Sequence, residues 1–325
     1  MAVVEITVRA AEPTETEKIV ALAGRALGWT AGEPNEALFR WKHEQNPFGA
    51  SPQWVAVAGD RLAGFRTMLR WEFLDASGAV VRAARPVDTA TDPEFQGRGI
   101  FKKLTMLAVD ELTEAGTEFI FNTPNDQSRP GYLKMGWSEA GRVPIAARPT
   151  GLRSALRMAS ARTAAEKWSR ASSAGRPAPE IFADDAVAAE LQPLDAGTDP
   201  GFRTNRTPAY YRWRYGLPEL HYRAVTLGRD PREGTAIFRL RGRGGAVEAT
   251  VADLLLPDAG ALAPLLKALR RAVDADYLLL AGPGQLRRGL LPIPGQGPLL
   301  TTRPLASLAP PLSRMHLSLA DIELF

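Results

Sequence analysis

A glycine-containing loop at residues 96–101, Gln-Gly-Arg-Gly-Ile-Phe, has the residue types and spacing to bind a phosphate group. Before it, residues 86–91 alternate as a β-strand does, and after it leucines and alanines recur at helical spacing. Glycine lets the backbone approach a ligand closely, and the start of a helix presents unpaired N–H groups to an anion. The pattern therefore predicts a phosphate site at a strand-to-helix connection.

A second strand, loop and helix follow further along the chain and contain a tyrosine. Asn125 precedes Tyr132 by seven positions, and Gly136 and Trp137 follow. The order strand, Gln-x-x-Gly-x, helix, strand, Asn-x6-Tyr-x-x-x-Gly-aromatic resembles the GNAT family of acyl-CoA N-acyltransferases over residues 4–147. One position departs from the usual motif. Phe101 stands where a small residue is usual, so the helix must pack differently there.

The resemblance implies a role for each motif residue. Backbone N–H groups of the loop would bind the pyrophosphate of acetyl-CoA, the strand before the loop would pair with the pantetheine, and Asn125 would bond the pantetheine from the other side. Tyr132 would be the general acid, because a tyrosine keeps its proton at pH 7 and can donate it to the leaving thiolate. The predicted residues for binding acetyl-CoA are Thr89, Ala90, Thr91, Gln96, Gly97, Arg98, Gly99, Ile100, Phe101, Lys102 and Asn125.

The group that removes a proton from the acceptor amine is less clear from the sequence. Many members of the family have a carboxylate on the strand after the loop helix, where this chain has Ile120. Asp88 lies on the strand beside the expected thioester site and is our first candidate for the general base. Glu36, Glu44, a water relay and the C-terminal carboxylate remain alternatives.

Hydrophobic periodicity and turn residues predict the elements that position these groups. In chain order they are strand Ala2–Arg9, helices Glu15–Leu27 and Asn35–Glu44, strands Trp54–Ala58, Leu62–Leu74 and Val80–Thr91, helix Phe101–Ala115, strand Phe119–Asn122, helix Ser128–Lys134 and strand Ser138–Ile145.

The chain also contains an internal repeat. Phe39–Lys42 (Phe-Arg-Trp-Lys) recurs as Tyr211–Arg214 (Tyr-Arg-Trp-Arg), and Phe65-Arg66 recurs as Phe238-Arg239 at nearly the same offset. Repeated blocks in the same order and spacing favour duplication of one fold. The second copy has no Gln-Gly-x-Gly arrangement in residues 256–267, so only the first copy is predicted to bind acyl-CoA.

We therefore predict an α/β (α+β) protein with two tandem GNAT-like domains, each a mixed twisted sheet flanked by helices. The catalytic domain would span residues 1–147, a basic and partly helical linker 148–180, and the degenerate second domain 181–325. The duplication and the bulky Phe101 both resemble Eis-type acetyltransferases. Those proteins carry a further C-terminal domain, for which a chain of 325 residues is expected to have no room.

Composition excludes several other classes. The chain has no cysteine and three scattered histidines, which predicts no disulfide framework and no metal site. No apolar run approaches the ~18 residues that cross a membrane, and the N-terminus does not resemble a signal peptide, so a soluble cytoplasmic protein is expected. The segment 148–176 carries a net charge of +6 and the rest of the chain about −2, which argues against a general nucleic-acid surface.

The predicted function is transfer of an acyl group, acetyl by default, from acyl-CoA to a small-molecule amine. Direct transfer in a ternary complex is expected, because no cysteine and no serine with a base partner stands out in the sequence. Two alternatives remain open. A FemAB-like aminoacyl transferase would use aminoacyl-tRNA, which suits the basic linker, and a non-catalytic CoA-binding partner module would need neither Asn125 nor Tyr132.

Overall fold

A computed structural model describes residues 5–195, 201–281, 290–293, 295–306 and 309–323. The chain forms two compact units. The first unit comprises Met1–Phe73, Ala79–Gly141 and Leu299–Pro311, and the second comprises Leu74–Gly78, Arg142–Pro298 and Leu312–Phe325. The chain thus passes to the second unit after Gly141, and the segment that we assigned to a linker, 148–180, belongs to the second unit.

The secondary structure alternates between strands and helices along both units. The strands are β1 (Thr7–Ala10), β2 (Gln53–Ala58), β3 (Arg61–Leu74), β4 (Val80–Thr91), β5 (Phe119–Asn122), β6 (Ser138–Arg142), β7 (Ile145–Pro149), β8 (Arg176–Pro177), β9 (Phe202–Thr204), β10 (Arg223–Thr226), β11 (Thr235–Arg243), β12 (Ala246–Leu255), β13 (Tyr277–Ala281), β14 (Leu291–Pro292), β15 (Leu299–Pro304) and β16 (Met315–His316). The helices are α1 (Thr16–Ala26), α2 (Asn35–His43), α3 (Ile100–Glu114), α4 (Arg129–Lys134), α5 (Leu152–Ser160), α6 (Ala178–Ile181), α7 (Asp185–Leu191), α8 (Pro208–Gly216), α9 (Leu262–Ala272) and α10 (Leu319–Ile322).

The first unit is built on a mixed sheet with the strand order β1-β2-β3-β4-β5-β15-β6. The pairs β1–β2, β2–β3 and β5–β15 are antiparallel, whereas β4 and β5 run parallel, as the helix α3 between them requires. Strand β15 comes from near the end of the chain and lies between β5 and β6.

Helices cover both faces of this sheet. Trp54, Ala56 and Met68 pack in one cluster with α3, whereas Val55 and Phe65 pack in another with α1 and α2. Alternate residues of a strand point to opposite faces, and the sequence of β2 and β3 supplies apolar residues at both sets of positions. We refer below to the α3 face and the α2 face of the sheet.

The parallel ladder between β4 and β5 is short. Its register joins Ala83 to Phe119 and Ala84 to Ile120, whereas β4 continues to Thr91. Strand β5 pairs along all four residues with β15 on its other side. The last part of β4 is therefore left to diverge from β5, just before the loop that leads into α3.

The second unit repeats this order of elements. Its sheet runs β14-β7-β13-β12-β11-β10-β8, and β12 and β13 are again parallel, with α9 between them in sequence. Four leucines on one side of α9 are buried in the core of this unit: Leu262, Leu265, Leu266 and Leu269. The series α8, β10, β11, β12, α9, β13 matches the series α2, β2, β3, β4, α3, β5, and this is the duplication that the repeat predicted.

The former linker segment packs along β11. The N–H groups of Glu166 and Arg170 donate to the carbonyls of Gly242 and Leu240, both at 2.8 Å. Helix α5 precedes them, and its residues Leu152 and Leu156 are 92% and 74% exposed.

Most of the predicted elements are observed within one or two residues of their predicted bounds, and two differ. The first strand is shorter than predicted and begins at Thr7; residues 1–4 lie outside the described residues. The single strand predicted over Ser138–Ile145 was wrong, because β6 and β7 are separate strands in different sheets. Pro144 lies between them, and a proline has no N–H to donate to a ladder.

Within the described ranges, no helix is long and apolar enough to cross a membrane. The same part of the chain contains no group of three His, Asp or Glu side chains close enough to hold a metal ion.

Candidate active site

The loop before α3 is arranged by a short 3₁₀ turn at Pro93–Phe95. Asp92 begins this turn, and its side chain accepts a hydrogen bond from the Glu94 N–H at 3.1 Å. Gly97 and Gly99 follow with φ angles of 76° and 73°, in the left-handed region that favours glycine. The two positive φ angles turn the chain from β4 into the first turn of α3.

The start of α3 has free space and positive charge around it. A Cβ at Gly97 or Gly99 would meet no atom within 4 Å. The Lys103 N–H bonds to the Gly99 carbonyl at 3.0 Å, so the N–H groups of the preceding residues are those that a helix leaves without an intrahelical partner. Arg98 and Lys102 are exposed beside them, and the first turn has no acidic residue. This donor set fits a pyrophosphate.

Phe101 connects this loop with the tyrosine. Its ring packs edge-on against the ring of Tyr132, with centroids 5.5 Å apart and an interplanar angle of 80°. A Cβ on Gly131, the residue before Tyr132, would lie 3.1 Å from Cε1 of Phe101, so the glycine leaves the space that the ring fills. The bulky Phe101 is therefore accommodated at the start of α3 by an aromatic contact with α4.

Tyr132 lies on α4 and is 4% exposed. Its hydroxyl oxygen accepts a hydrogen bond of 2.7 Å from Nη2 of Arg66, which is fully buried on β3. The ring of Trp137 also packs against the tyrosine ring, with centroids 5.1 Å apart. The tyrosine ring is thus fixed by contacts from β3, α3 and the turn after α4.

The residues predicted to bind the pantetheine lie at the end of β4 and in the turn before α4. Thr89 and Thr91 are partly exposed at the end of β4, and the Thr89 hydroxyl donates to the Phe65 carbonyl at 2.9 Å. Asn125 is exposed, and its Oδ1 accepts the Ser128 N–H at 2.8 Å, which orders the turn before α4. Its Nδ2 is the side-chain atom that would serve a ligand. The role of all three residues in binding remains a prediction.

Asp88 lies in a buried polar cluster on the α2 face. Its Oδ2 accepts from Nζ of Lys42 and is 2.9 Å from Nε2 of His43, whose Nδ1 is 2.9 Å from Oγ of Ser51. Asp88 has a φ of 45°, a conformation that aspartate tolerates better than most residues. Thr67 supports this break in β4 by donating to the Val87 carbonyl.

Burial acts on both titratable groups of this cluster. Burial raises the pKa of Asp88, but the charge of Lys42 and the hydrogen bond from His43 outweigh it and hold the pKa well below its usual range. Burial lowers the pKa of His43 further than Asp88 raises it, so the imidazole is neutral at pH 7. A neutral imidazole with Nε2–H toward Asp88 and Nδ1 accepting from Ser51 satisfies both of these histidine contacts.

The other carboxylates that we considered as bases have different surroundings. Glu36 and Glu44 both pair with Arg40 at 3.0 Å on the outside of α2. The C-terminal residue, Phe325, lies outside the described residues. Glu323, close to it in sequence, pairs with Arg241 of the second unit at 2.6 Å.

The second unit has an anion of its own at the corresponding helix start. Oδ1 of Asp258 accepts from the N–H groups of Gly260 at 2.5 Å and Ala261 at 3.2 Å, immediately before α9. The Asp258 carboxylate therefore accepts hydrogen bonds from the same backbone N–H groups that would otherwise bind a phosphate at the start of α9.

Sequence reasoning missed three residues that complete these sites. His43 was taken for a lone surface or packing residue, and Lys42 and Arg66 were given no role. The available signal was a charged residue within an apolar run: Arg66 stands in the middle of Ala63–Leu69, all of which is buried.

The chain is similar to known proteins in sequence and in fold. Residues 7–140 match the family described as an acetyltransferase (GNAT) domain. Among solved structures, a GCN5-related N-acetyltransferase from Kribbella flavida superposes with a TM-score of 0.65 at 15% identity, covering 93% of this chain and 71% of that one. A GCN5-related N-acetyltransferase from Anabaena variabilis gives a TM-score of 0.64 at 14% identity, covering 93% and 73%. Eis1 from Mycobacterium abscessus gives 0.57 at 16% identity, covering 93% and 74%. A search of curated proteins found no match.

Residues 7–140 of the first unit are thus similar to an acetyltransferase (GNAT) domain, and the two-unit fold is similar to the folds of these solved structures. The matched domain is that of an acetyltransferase, so the first unit is assigned to an enzyme class in which acetyl-CoA is the usual acyl donor.

Proposed function

We propose that the first unit transfers an acetyl group directly from acetyl-CoA to the amine of a small molecule. The observation that carries this proposal is the contact between Phe101 and Tyr132. It joins the helix that begins at the phosphate loop to the tyrosine suited to be the acid, so the two ends of one acyl-CoA can be held by one rigid unit. The pyrophosphate would lie at the start of α3, and the pantetheine between the diverging ends of β4 and β5.

Tyr132, the proposed general acid, and Asp88, the proposed general base, lie toward opposite faces of the sheet. Arg66, which holds Tyr132, points to the α3 face, whereas the next residue, Thr67, contacts the cluster of Asp88 on the α2 face. A thioester in the opening between β4 and β5 would have Tyr132 toward one face and Asp88 toward the other. The amine and the leaving thiol would then be separated, as direct transfer requires.

In the proposed reaction, the amine nitrogen attacks the thioester carbonyl carbon, a C–N bond forms and the C–S bond breaks. Tyr132 gives its proton to the leaving sulfur and is reprotonated from solvent. Asp88 receives the proton of the amine through Oδ1, since Lys42 and His43 both contact Oδ2. The Asp88 side chain is 13% exposed, which leaves a path for the acceptor to reach it.

The acceptor class is a small amine, such as an amino sugar, an antibiotic or a polyamine-like metabolite. The ionised carboxylate of Asp88 favours an acceptor that arrives as an ammonium ion, which must lose one proton to solvent before the free amine attacks. A cytoplasmic site of action is proposed because acyl-CoA is found there.

The test combines an acceptor library, detection of free CoA thiol and Tyr132→Phe. We expect turnover with small amines, and the variant should lower kcat and kcat/KM together by about 10²–10⁴-fold, because general-acid catalysis contributes in this range. The affinity for acetyl-CoA should change little, since only one hydroxyl is removed. Transfer only from aminoacyl-tRNA, or binding of CoA without turnover of any amine, would overturn the proposal in favour of the two alternative classes.

A further inference from the structure

Arg66 is a charged residue in a place where charge is unfavourable. Its side chain is fully buried within β3, and the described residues supply it with no carboxylate partner. Nε and Nη1 have no hydrogen-bond partner in that part of the chain, and Nη2 has one, the hydroxyl of Tyr132. Burying a cation without a carboxylate partner costs free energy of folding. We therefore look for a functional role of the Arg66 guanidinium.

Two aromatic rings hold the guanidinium in place. Cζ of Arg66 lies 5.3 Å from the ring centroid of Phe101 and 5.3 Å from that of Tyr132. Cation–π contacts of this kind stabilise a guanidinium without neutralising its charge. Arg66 therefore keeps its full positive charge next to the tyrosine.

The direction of the hydrogen bond decides what Tyr132 can do. A guanidinium only donates, so the phenol oxygen is the acceptor in this 2.7 Å contact. The O–H of the tyrosine must then point to a different acceptor, and the described residues provide none within hydrogen-bond distance. The proton that the acid would donate is thus kept free.

We propose that Arg66 is a positioning residue for the acid: it fixes the Tyr132 hydroxyl as a donor toward the leaving sulfur and stabilises the phenolate that remains after the proton has left. This inference rests on the proposed role of Tyr132. The charge that develops on the phenol oxygen lies 2.7 Å from a guanidinium nitrogen in a site screened from water, where such an interaction is strong.

The test is a double-mutant cycle in the full chain with Arg66→Met, Tyr132→Phe and the combined variant. Arg66→Met alone should lower kcat by about 10–10³-fold, by analogy with the loss of one charge-stabilising donor, with acetyl-CoA affinity nearly unchanged. In the Tyr132→Phe background the same substitution should change kcat by less than about 3-fold, because the two residues act as a unit. Arg70→Met, an exposed arginine on the same strand, is the matched control and should leave kcat unchanged.

Two further variants separate positioning from packing. Arg66→Lys keeps the charge and Arg66→Gln keeps an N–H donor, so both should retain more activity than Arg66→Met, and they carry the test if the methionine variant does not fold. Equal losses from Arg66→Met in both backgrounds would show an effect independent of Tyr132 and would overturn the inference. The inference also fails if the Arg66 variants are fully active while Tyr132→Phe is impaired, whereas full activity of Tyr132→Phe would overturn the proposed acid itself.

Discussion

Phe101 and Gly131 are packed so closely that a Cβ added to the glycine would lie 3.1 Å from Cε1 of the phenylalanine ring. The bulky residue at the end of the loop motif is therefore matched by the absence of a side chain on α4. Tyr132 is the next residue along α4, so the position of the acid depends on this contact as well as on Arg66. A small side chain at Gly131 should therefore lower the catalytic rate more than it lowers the stability of the fold.

We expect Gly131→Ala to lower kcat several-fold while the melting temperature changes little. Alanine favours a helix over glycine by ~1 kcal/mol, which offsets the cost of displacing the Phe101 ring by a few tenths of an ångström. Adding Phe101→Leu, which removes the ring, should relieve the crowding, and kcat of the double variant should no longer respond to Gly131→Ala. Gly151→Ala, where a Cβ would meet nothing within 4 Å, is the control. Equal kcat for Gly131→Ala and the wild type would contradict the coupling.

The phosphate loop can be tested by thermal stabilisation. Acetyl-CoA should raise the melting temperature of the wild type, because a ligand that binds only the folded state stabilises it, and Gly99→Asp should abolish the shift by placing an anion and a Cβ in the loop. Gly59→Asp is matched in backbone strain, with a φ of 58° against 73°, and a Cβ there also meets no atom within 4 Å. It should lower the melting temperature of the free protein by a similar amount and still respond to acetyl-CoA. An unchanged shift in Gly99→Asp would place the site elsewhere.

One acyl-CoA should bind per chain. In the second unit, the Asp258 carboxylate accepts from the N–H groups of Gly260 and Ala261, so a phosphate would meet both a like charge and a lack of donors. Calorimetric titration with acetyl-CoA should give a stoichiometry of one, and Gly99→Asp should remove all of the binding heat. A stoichiometry of two would show that the second unit has kept the site.

Asp88→Asn should lower kcat/KM for the amine by ~10²-fold, at the lower end of the usual range for a general base. The reason is that Lys42 and His43 hold the pKa of Asp88 well below its ordinary value, which makes it a weak base. Asp60→Asn, exposed in the turn between β2 and β3, is the control. An unchanged kcat/KM in Asp88→Asn would remove Asp88 from the acceptor side and leave Glu36, Glu44, the water relay and the terminal carboxylate as candidates.

The pH profile gives an independent check on Asp88. In the wild type the carboxylate stays ionised above pH ~4, so it should produce no acid limb in kcat/KM above that pH. Lys42→Met removes the nearby cation while burial continues to raise the pKa, so an acid limb should appear at higher pH than in the wild type. The same profile in both proteins would mean that Asp88 does not take part in proton transfer.

The sequence predicted the elements around the loop well, because their signals are local. The bounds of β4 and β5 were predicted correctly, and α3 begins one residue earlier than predicted. The place of β15 beside β5 could not be predicted, since Thr301 and Asn122 are distant in sequence and meet only through the tertiary fold. The role of Tyr132 was predicted from its motif, whereas the only local signal for Arg66 is its charge within an apolar run, and the hydrogen bond between the two residues depends on the tertiary fold.

The cluster around Asp88 required the same long-range information. His43 and Asp88 lie on α2 and β4, which are separated in the chain by two other strands, and neither residue belongs to a recognisable motif. Packing of α2 on the sheet brings Nε2 of His43 to 2.9 Å from Oδ2 of Asp88, and burial lowers the pKa of His43 in a way that its sequence neighbours do not indicate.

His43 should make the stability of the fold depend on pH between about 5 and 7. Burial lowers its pKa in the folded state, whereas in the unfolded chain its pKa is about 6.5. As the pH falls below 6.5, the unfolded state binds a proton that the folded state does not, so the free energy of unfolding decreases by up to ~1.4 kcal/mol per pH unit. The Asp88 carboxylate does not contribute in this window, because its stabilising effect is lost only as the pH falls below its ordinary pKa of about 3.9.

Denaturant titrations from pH 5 to 8 should show this decline in the free energy of unfolding in the wild type and a flatter dependence in His43→Gln. His221→Asn, at an exposed histidine, should keep the wild-type slope, and a decline of equal size in His43→Gln would assign the pH dependence to another group.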